Sequence, residues 1–355
     1  MKRFLIINPF GIGDVLFTTP VIRAIKDNFP DSFIGYWCNE RVQDILKNNK
    51  DIDVIFPLSR GDMKRISGQS KIEGLFRFLS LVRKLKKGKF DVTIDFSLDH
   101  RYSLISKIIG IRKRVGFNYK KRGRFLTDSI ELEGYSSKHA VEYYLDLLNF
   151  LGLKPKKYDL NLAPTPESKA RANSILGRSG INEGDLLIGI APGAGASWGK
   201  DASFKHWPPA KFARLADRMV TELKAKVLII GSEAEKEIAE AMVYSMKNKP
   251  VNLAGRTNLE DSIAVINNLR ILVANDGGLL HIACALGVNT VSIFGPVDEL
   301  VYGPYSISEK HAVIKRNIEC RPCYKNFKRA VCDRDRECLN LISIDEVFEA
   351  VRGLL

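Results

Sequence analysis

The sequence lacks any apolar run long enough to cross a lipid bilayer. No uninterrupted stretch of its 355 residues approaches the ~18–20 apolar residues that a spanning helix needs. Its start, Met1-Lys2-Arg3 followed by four apolar residues, is too short for a secretory signal peptide. Internal repeats and low-complexity tracts are also missing. These absences predict a soluble, cytoplasmic protein.

No residue class is scarce or abundant enough to suggest a fibrous or disordered chain. Hydrophobic residues make up 45% of the sequence and charged residues 27%, with 27 Gly and 14 Pro. Such values exclude the collagen-like, disordered and coiled-coil classes. At ~100–200 residues per domain, the length predicts two domains, each able to bury its own core.

The positive charge of the chain is concentrated in its first half. Residues 1–165 contain 30 Lys/Arg and 18 Asp/Glu, whereas residues 166–355 contain 25 and 23. An anionic partner is therefore expected to meet the first half. Nucleic acid, a phosphorylated glycan and an anionic membrane face would each fit this charge.

Short β-branched segments alternate with longer helical ones along the whole chain. Strands are predicted at residues 3–8, 32–38, 53–57, 91–96, 114–117, 186–191, 225–231, 251–254, 270–275, 290–294 and 311–315. Helices are predicted at residues 14–29, 40–48, 72–87, 101–109, 138–151, 210–223, 233–246, 259–268 and 279–286. This alternation predicts parallel sheets with helices on both faces.

A break between the two halves is predicted near residues 160–167, where Pro164 and Pro166 cannot continue a helix or a central strand. The sequence thus predicts an α/β protein with two doubly wound domains, residues 1–165 and 166–340, and a final segment at 341–355. Ligands of such sheets bind at the carboxyl ends of the strands, so a cleft is expected there.

The loop after the first strand carries a carboxylate. Gly11 and Gly13 permit a tight turn into the next helix, and Asp14 follows them. Asp14 could cap the helix, which is worth ~0.5–2 kcal/mol. It could instead accept a proton from a substrate hydroxyl, kept ionised by the positive end of the helix.

A second loop combines Asp276, Gly277, Gly278, Leu279 and His281 after the strand at residues 270–275. Two glycines at a helix start let backbone N–H groups face an anion without side chains in the way. Asp276 could also be a cap, and His281 a structural histidine. The combination favours a diphosphate site.

Two further loops offer single candidates. Lys205 could neutralise a phosphate, and Trp207 is expected to pack on the helix that Pro208 initiates. Glu233 could accept hydrogen bonds from ribose hydroxyls or favour a helix start.

Four short motifs occur in a fixed order: Gly13-Asp14-Val15-Leu16, Lys205-His206-Trp207-Pro208, Asp276-Gly277-Gly278-Leu279-Leu280-His281 and Phe294-Gly295-Pro296. In this order and spacing, the chain resembles glycosyltransferase family nine, the ADP-heptose:lipopolysaccharide heptosyltransferases, and heptosyltransferase II in particular. The resemblance implies the GT-B architecture, with two Rossmann-like domains facing a cleft and a C-terminal helix that packs back on the first domain. The first domain would bind the acceptor and the second the nucleotide sugar.

The resemblance also implies the chemistry. Asp14 would be the general base of an inverting, metal-independent transfer of a heptose from an ADP-sugar to a lipopolysaccharide core or similar anionic glycan. The residues implied to hold the donor are Gly13, Lys205, Glu233, Asp276, Gly277, Gly278, Leu279 and His281. No cofactor is implied, since the ADP-sugar is a substrate.

Basic clusters at residues 83–89, 112–114 and 120–124 could be a solvated face, or could contact a phosphorylated or lipid-linked glycan at the inner membrane surface. They lack interleaved aromatic residues apart from Phe117, Tyr119 and Phe125. No helix-turn-helix or zinc-finger spacing is present, so nucleic acid is not an expected partner.

The six cysteines fall into two groups. Cys38 and Cys284 lie in apolar contexts typical of a core. The others lie within nineteen residues and could hold a structural zinc ion, although only the first two have the C-x₂-C spacing that zinc favours; these are Cys320, Cys323, Cys332 and Cys338.

Other functions remain open at this point. A GT-B transferase could use another nucleotide sugar, and a sugar-nucleotide epimerase could share the fold. A non-catalytic protein that binds anionic glycans would need only the basic half. Insensitivity to Asp14→Asn would favour that binder.

Overall fold

Two six-stranded parallel sheets organise the chain. A computed structural model describes residues 1–154, 156–306 and 310–355. The chain divides into two compact units, Met1–Asn161 and Leu162–Leu355. The division falls inside the segment 160–167.

The described residues of the first unit form six strands, six α-helices and two 3₁₀ helices. The strands are β1 (Arg3–Ile7), β2 (Phe33–Cys38), β3 (Val54–Pro57), β4 (Val92–Asp95), β5 (Lys113–Tyr119) and β6 (Asp128–Leu132). The α-helices are α1 (Ile12–Leu16), α2 (Thr19–Asn28), α3 (Arg60–Gln69), α4 (Lys71–Lys87), α5 (His100–Ile108) and α6 (Ala140–Asp146), and the 3₁₀ helices are Glu40–Ile45 and Leu147–Leu151. The sheet order is β3-β2-β1-β4-β5-β6, so β1 lies between β2 and β4, with Ile7 opposite Trp37 and Asp95.

The second unit repeats this arrangement. Its sheet contains β7 (Leu187–Ala191), β8 (Lys226–Ile229), β9 (Val251–Asn252), β10 (Ile271–Asn275), β11 (Asn289–Phe294) and β12 (His311–Lys315), and a small hairpin joins β13 (Tyr324–Lys325) to β14 (Lys328–Arg329). The helices are α7 (Pro166–Arg178), α8 (Pro209–Leu223), α9 (Lys236–Tyr244), α10 (Leu259–Ile266), α11 (Gly278–Ala285), α12 (Glu299–Tyr302), α13 (Glu337–Asn340) and α14 (Ile344–Gly353), with 3₁₀ helices at Ala196–Lys205 and Glu233–Glu235. The order is β12-β11-β10-β7-β8-β9, in which β7 pairs with β10.

The predicted single helix at residues 14–29 is wrong, because a proline interrupts it. Pro20 has no N–H to donate to the carbonyl of Leu16, and its ring would clash there in a continuous helix. The Thr19 hydroxyl donates to that carbonyl instead, at 2.7 Å. The chain therefore ends α1 at Leu16 and begins α2 at Thr19.

The sequence also missed several elements. β6 is an edge strand with polar residues, and α3 begins at a Ser59/Asp62 capping box that was not recognised. Pro166, interpreted as a breaker, occupies the first turn of α7, where a proline is favoured. Residues 40–48 form only a 3₁₀ helix, Glu40–Ile45.

Each unit has its own core. In the first, Leu5, Ile7 and Trp37 pack with Leu85 of α4. In the second, Trp207 is fully buried against Phe212 of α8, as predicted, with ring centroids 4.9 Å apart.

The last helix, α14, packs against α8, β11 and β12 within the second unit. Its residues Val347, Phe348 and Val351 belong to that unit's core. The packing of the final segment on the first domain stays a prediction. Among the described residues, no helix is both long and apolar enough to cross a membrane.

Candidate functional site

Both sheets have the strand order that creates a topological switch point. β1 and β4 are neighbours in the first sheet, as are β7 and β10 in the second. Loops that leave the carboxyl ends of such neighbouring strands turn to opposite faces and leave a crevice where ligands bind. The predicted residues Asp14 and Asp276 follow β1 and β10, and so each lies at the switch point of its own unit.

Two asparagine side chains fix the loop between β1 and α1. Asn8 is fully buried; its Oδ1 accepts the Phe10 N–H at 3.1 Å, and its Nδ2 donates to the Asp14 carbonyl at 2.9 Å. Asn39, after β2, donates from Nδ2 to the Pro9 carbonyl at 3.0 Å. The backbone that presents Asp14 is therefore held from two directions.

Asp14 is not the N-cap residue of α1. Gly11 occupies that position, and no side chain caps this helix. Asp14 lies in the first helical turn and is half-buried, directly after Gly13, whose carbonyl accepts the Phe17 N–H at 2.9 Å. A carboxylate in the first turn is stabilised by the helix dipole. The alternative that Asp14 is the N-cap of α1 is therefore wrong. Its carboxylate lies in the first turn of the helix instead.

Two buried phenols lie in the electrostatic field of Asp14. Burial raises the pKa of Tyr36 well above its usual value, and the negative charge of Asp14 adds to this rise. Burial and then the Asp14 charge likewise raise the pKa of Tyr135. The Tyr36 hydroxyl lies 2.8 Å from the Thr18 Oγ1. Both tyrosines therefore stay protonated at neutral pH.

A second carboxylate at this switch point was missed from the sequence. Asp95 ends β4 and is buried, and its Oδ1 accepts the Ser97 N–H at 2.8 Å. Burial raises the pKa of Asp95 to about 7. The available signal was an aspartate at the carboxyl end of a predicted strand.

In the second unit, Asn275 joins three segments. This buried residue ends β10, and its Oδ1 accepts the Trp207 N–H at 3.0 Å. Its Nδ2 donates to the Pro192 carbonyl at 2.7 Å. The loop after β7, the start of α8 and the end of β10 are thereby held together.

Gly277 is required by close packing. A Cβ atom on it would lie 2.9 Å from the backbone C and O atoms of Ala194, in the loop after β7. Gly277 is the N-cap of α11, and no side chain caps this helix, which begins with Gly278 and Leu279. Helix starts of this kind attract anions through their N–H groups and dipole.

A buried ion pair lies beside this helix start. The Lys205 Nζ is 2.7 Å from the Asp276 Oδ2, and both side chains are buried. The contact is an ion pair rather than an aligned hydrogen bond. Nζ also lies 4.4 Å from the centroid of the Trp198 ring, which stacks on Tyr324 at 4.8 Å. The ammonium group is therefore held by a carboxylate and an aromatic face.

His281 is buried in α11. Burial lowers its pKa to about 4; the Asp276 charge raises that pKa and the Lys205 charge lowers it. The imidazole is therefore neutral at physiological pH, and Lys205 supplies the positive charge of this cluster.

Glu235 holds the loop after β8, where the sequence pointed to Glu233. Glu233 is 75% exposed and makes only a 4.0 Å ion pair with Lys236. The Oε1 of Glu235 instead accepts the Gly195 N–H at 2.8 Å, and its Oε2 accepts the Ser232 N–H and hydroxyl at 2.9 and 2.7 Å. The Ser232-x-x-Glu235 capping box was the signal that could have identified it.

An open hollow of about 560 Å³ adjoins this junction and is lined by residues that include Gly195, His206, Glu235 and Ile238. Burial is the main cause that lowers the pKa of His206.

The four clustered cysteines line one small pocket together with basic side chains such as Arg321 and Arg329. Residues 1–154, 156–306 and 310–355 contain no group of three or more His, Cys, Asp or Glu side chains arranged to hold a metal ion.

The family model "Glycosyltransferase family 9 (heptosyltransferase)" matches residues 78–332. Lipopolysaccharide heptosyltransferase 3 of Escherichia coli (strain K12) is 24% identical over 350 residues, which cover 97% of this chain and 95% of that relative.

Solved structures agree over nearly the whole chain. The glycosyl transferase of family 9 from Veillonella parvula DSM 2008 superposes with a TM-score of 0.81 at 25% identity, covering 99% of this chain and 97% of that one. The E. coli ADP-heptose lipopolysaccharide heptosyltransferase II gives 0.77 at 21% identity, covering 100% and 98%. The predicted fold class is confirmed. Because the family model matches well over half of the residues, the chain belongs to glycosyltransferase family 9.

Proposed function

We propose that the protein transfers a heptose, or a related sugar, from an ADP-sugar to a lipopolysaccharide core or similar anionic glycan. Family membership supports the transferase activity, and one similar solved structure is named an ADP-heptose lipopolysaccharide heptosyltransferase. The observation that carries the proposal is the junction of β10 and α11, where an uncapped helix start adjoins the buried ammonium group of Lys205.

The donor diphosphate would bind at this junction. Gly277 and Gly278 bring no side chain between the helix N–H groups and an anion. Lys205 adds a formal positive charge, which Asp276 and Trp198 hold in place before the ligand arrives. Neutral His281 would contribute a polar imidazole without adding charge.

The nucleoside would occupy the hollow next to Glu235. Its carboxylate already orders the glycine loop after β7 through the Gly195 N–H. The hollow is wide enough for a ribose and a base, and Glu237 gives its rim a further acceptor. In the same proposal, Glu233 would contact the ribose and Gly13 would contact the donor.

Asp14 would act as the general base. As the acceptor hydroxyl oxygen attacks the anomeric carbon, the new glycosidic bond forms and the bond from that carbon to the diphosphate oxygen breaks. The hydroxyl proton passes to the Asp14 carboxylate, and ADP leaves from the opposite face. The configuration at the anomeric carbon therefore inverts. A positioned base contributes ~10²–10⁴-fold to the rate.

The leaving diphosphate would be stabilised by Lys205 and the helix N–H groups near Gly277, which are fixed before the reaction. Transfer would then proceed without a divalent cation. Turnover that is unchanged after treatment with EDTA would agree with this part of the proposal, and loss of turnover that Mg²⁺ restores would contradict it.

The acceptor would bind the first unit, because the basic residues are concentrated there. A phosphorylated glycan linked to lipid would also place the reaction at the cytoplasmic face of the inner membrane.

Calorimetric titration with ADP, GDP and UDP tests the donor assignment. We expect selective binding of ADP, which Lys205→Ala weakens. Preference for UDP or GDP would keep the transferase and change the donor sugar nucleotide. Binding of none of the three would contradict a nucleotide-sugar site at this junction. The exposed Lys249→Ala serves as the matched control and should bind ADP like the wild type.

A further inference from the structure

The helix α4 carries an apolar stripe that faces solvent. Ile72, Leu75, Phe76 and Leu79 are 84%, 59%, 72% and 54% exposed. Their spacing of three and four residues puts them on one side of the helix. The other exposed large apolar side chains of the described residues are scattered along the chain, so this stripe is the one place where four of them line up on a single element.

This stripe is not the face by which α4 packs on its own unit. Gly74, Leu81 and Leu85 form the buried face, and Leu81 and Leu85 join the core beneath the sheet. The stripe lies about 180° around the helix from them, at the 100° turn per residue of an α-helix. Core packing of α4 is therefore satisfied without the stripe, and burial in this chain does not explain it.

The same outer face becomes basic in its second half. Arg83, Lys86 and Lys87 continue the spacing of the stripe, and all three are exposed. The 17 residues of α4 span about 25 Å. One side of a single helix thus presents an apolar segment of about 10 Å followed by a cationic segment of about 6 Å.

The connections of α4 place the apolar half near the end of the sheet that carries Asp14. β3 ends at Pro57 and leads into α3, and four residues after α4 the chain enters β4 at its amino end. The basic end of α4 is therefore near the amino edge of the sheet, and the apolar half lies towards the carboxyl edge. An acceptor anchored in a surface beneath the apolar half would approach that carboxyl edge.

We propose that this outer face of α4 docks the protein on an anionic membrane surface. The four apolar side chains would enter the boundary between headgroups and acyl chains, and Arg83, Lys86 and Lys87 would contact lipid phosphates. An amphipathic helix with bulky apolar residues and adjacent cations binds anionic bilayers through both effects. Charge complementarity selects an anionic lipid surface as the occupant. The inference stands on α4 alone and does not require the proposed transfer reaction.

Vesicle flotation without any sugar substrate tests the proposal. We expect the wild-type protein to bind vesicles of phosphatidylglycerol and phosphatidylethanolamine, to release them as salt is raised, and to ignore phosphatidylcholine alone. Phe76→Ser combined with Leu79→Ser should lower the vesicle-bound fraction about tenfold, because insertion is lost. Lys86→Glu combined with Lys87→Glu should lower it similarly at low salt.

Matched controls distinguish loss of membrane docking from loss of folding and from nonspecific binding to vesicles. Tyr244→Ser removes an even more exposed ring from the second unit, and Lys247→Glu with Lys249→Glu reverses charges there. Both should bind vesicles like the wild type, and all variants should keep wild-type ADP binding. Equal flotation of wild type and the Phe76→Ser/Leu79→Ser variant would overturn the proposal. So would a concentration-dependent dimer that this variant dissociates, because a second copy would then cover the stripe.

Discussion

The two switch points of this protein have the same strand order but differ in how their charged side chains are placed. In each sheet the first and fourth strands of the unit are neighbours, and the loops that follow them carry the candidate residues. In the first unit, Asp14 is half-buried on a short uncapped helix. In the second, Lys205 and Asp276 are buried as a pair.

That difference follows from what each site would have to do. A base must meet a substrate hydroxyl that changes with the acceptor, so its carboxylate needs an open side. A diphosphate cradle works best when its donors are fixed and its charge is balanced before binding. Both switch points have a buried asparagine at the end of a strand whose side chain donates a hydrogen bond to a loop carbonyl. This residue is Asn8 in the first unit and Asn275 in the second.

The largest effect should come from Asp14→Asn. We expect turnover to fall ~10²–10⁴-fold, since the amide cannot take the proton. ADP affinity, which we propose depends on the second unit, should stay unchanged. Initial-rate kinetics and ADP calorimetry on the same preparation measure both. Asp31→Asn, at an exposed position of the first unit, is the control. Near-normal turnover of Asp14→Asn would show that Asp14 is not the general base, and the proposed difference between the two switch points would be wrong.

The next largest effect should come from Lys205→Met. This change leaves the Asp276 carboxylate buried without its partner, which typically costs about 3–5 kcal/mol of unfolding free energy. Urea titration should show that loss at neutral pH.

Adding Asp276→Asn removes the orphaned charge and should restore most of that stability while ADP binding stays weak. If the double variant also regained ADP binding, the pair would be structural only. If neither variant lost stability, the pair would not be the buried interaction seen here.

Gly277→Ala should act by sterics alone. The new Cβ would lie 2.9 Å from the Ala194 backbone, so one of the two loops must shift, at a cost of about 1–3 kcal/mol. ADP affinity should fall because the helix start moves. Gly177→Ala is the matched control, since nothing lies within 4 Å of its added Cβ in α7; there the change should stabilise by about 0.5–1 kcal/mol. Unchanged ADP affinity in Gly277→Ala would contradict binding of the diphosphate at the start of α11.

Sequence reasoning reached the fold and the positions of the switch-point loops because both depend on local patterns. Alternating apolar strands and helices gave eleven of the twelve strands of the two large sheets, and β6 escaped because its polar edge sequence has no such pattern. Glycines between a strand and a helix located the loops of Asp14 and Asp276.

The partners of these loops were not predictable, because they depend on contacts between distant segments. Glu235 and Gly195 are 40 residues apart, and Trp207 and Asn275 are 68 residues apart. Burial of Asp95 likewise arises from packing that no local pattern reports. The motif order therefore pointed to the loops at the two switch points, and the structure was needed to show how they are held.

The smallest expected effects concern pH, and they have opposite signs in the two units. Asp95 has a pKa of about 7 in the folded protein and near 3.8 when unfolded, so the folded state binds its proton more tightly. Its contribution is full below pH ~4 and is lost as the pH rises towards and through 7. Asp95→Asn should therefore be more stable than the wild type at pH 8 and nearly equal to it at pH ~4.

His281 should show the reverse dependence. Its pKa is lowered from 6.5 to about 4 on folding, so its neutral form stabilises the fold above pH ~6.5 and that contribution is lost as the pH falls towards 4. The stability gap between the wild type and His281→Gln should thus narrow as the pH falls, whereas the advantage of Asp95→Asn grows as the pH rises. Urea titrations across this range measure both slopes. The buried carboxyl of Asp95 and the buried imidazole of His281 therefore give the two switch points opposite dependences of stability on pH. If the stability difference between the wild type and either variant did not depend on pH, the pKa of the substituted group would not change on unfolding.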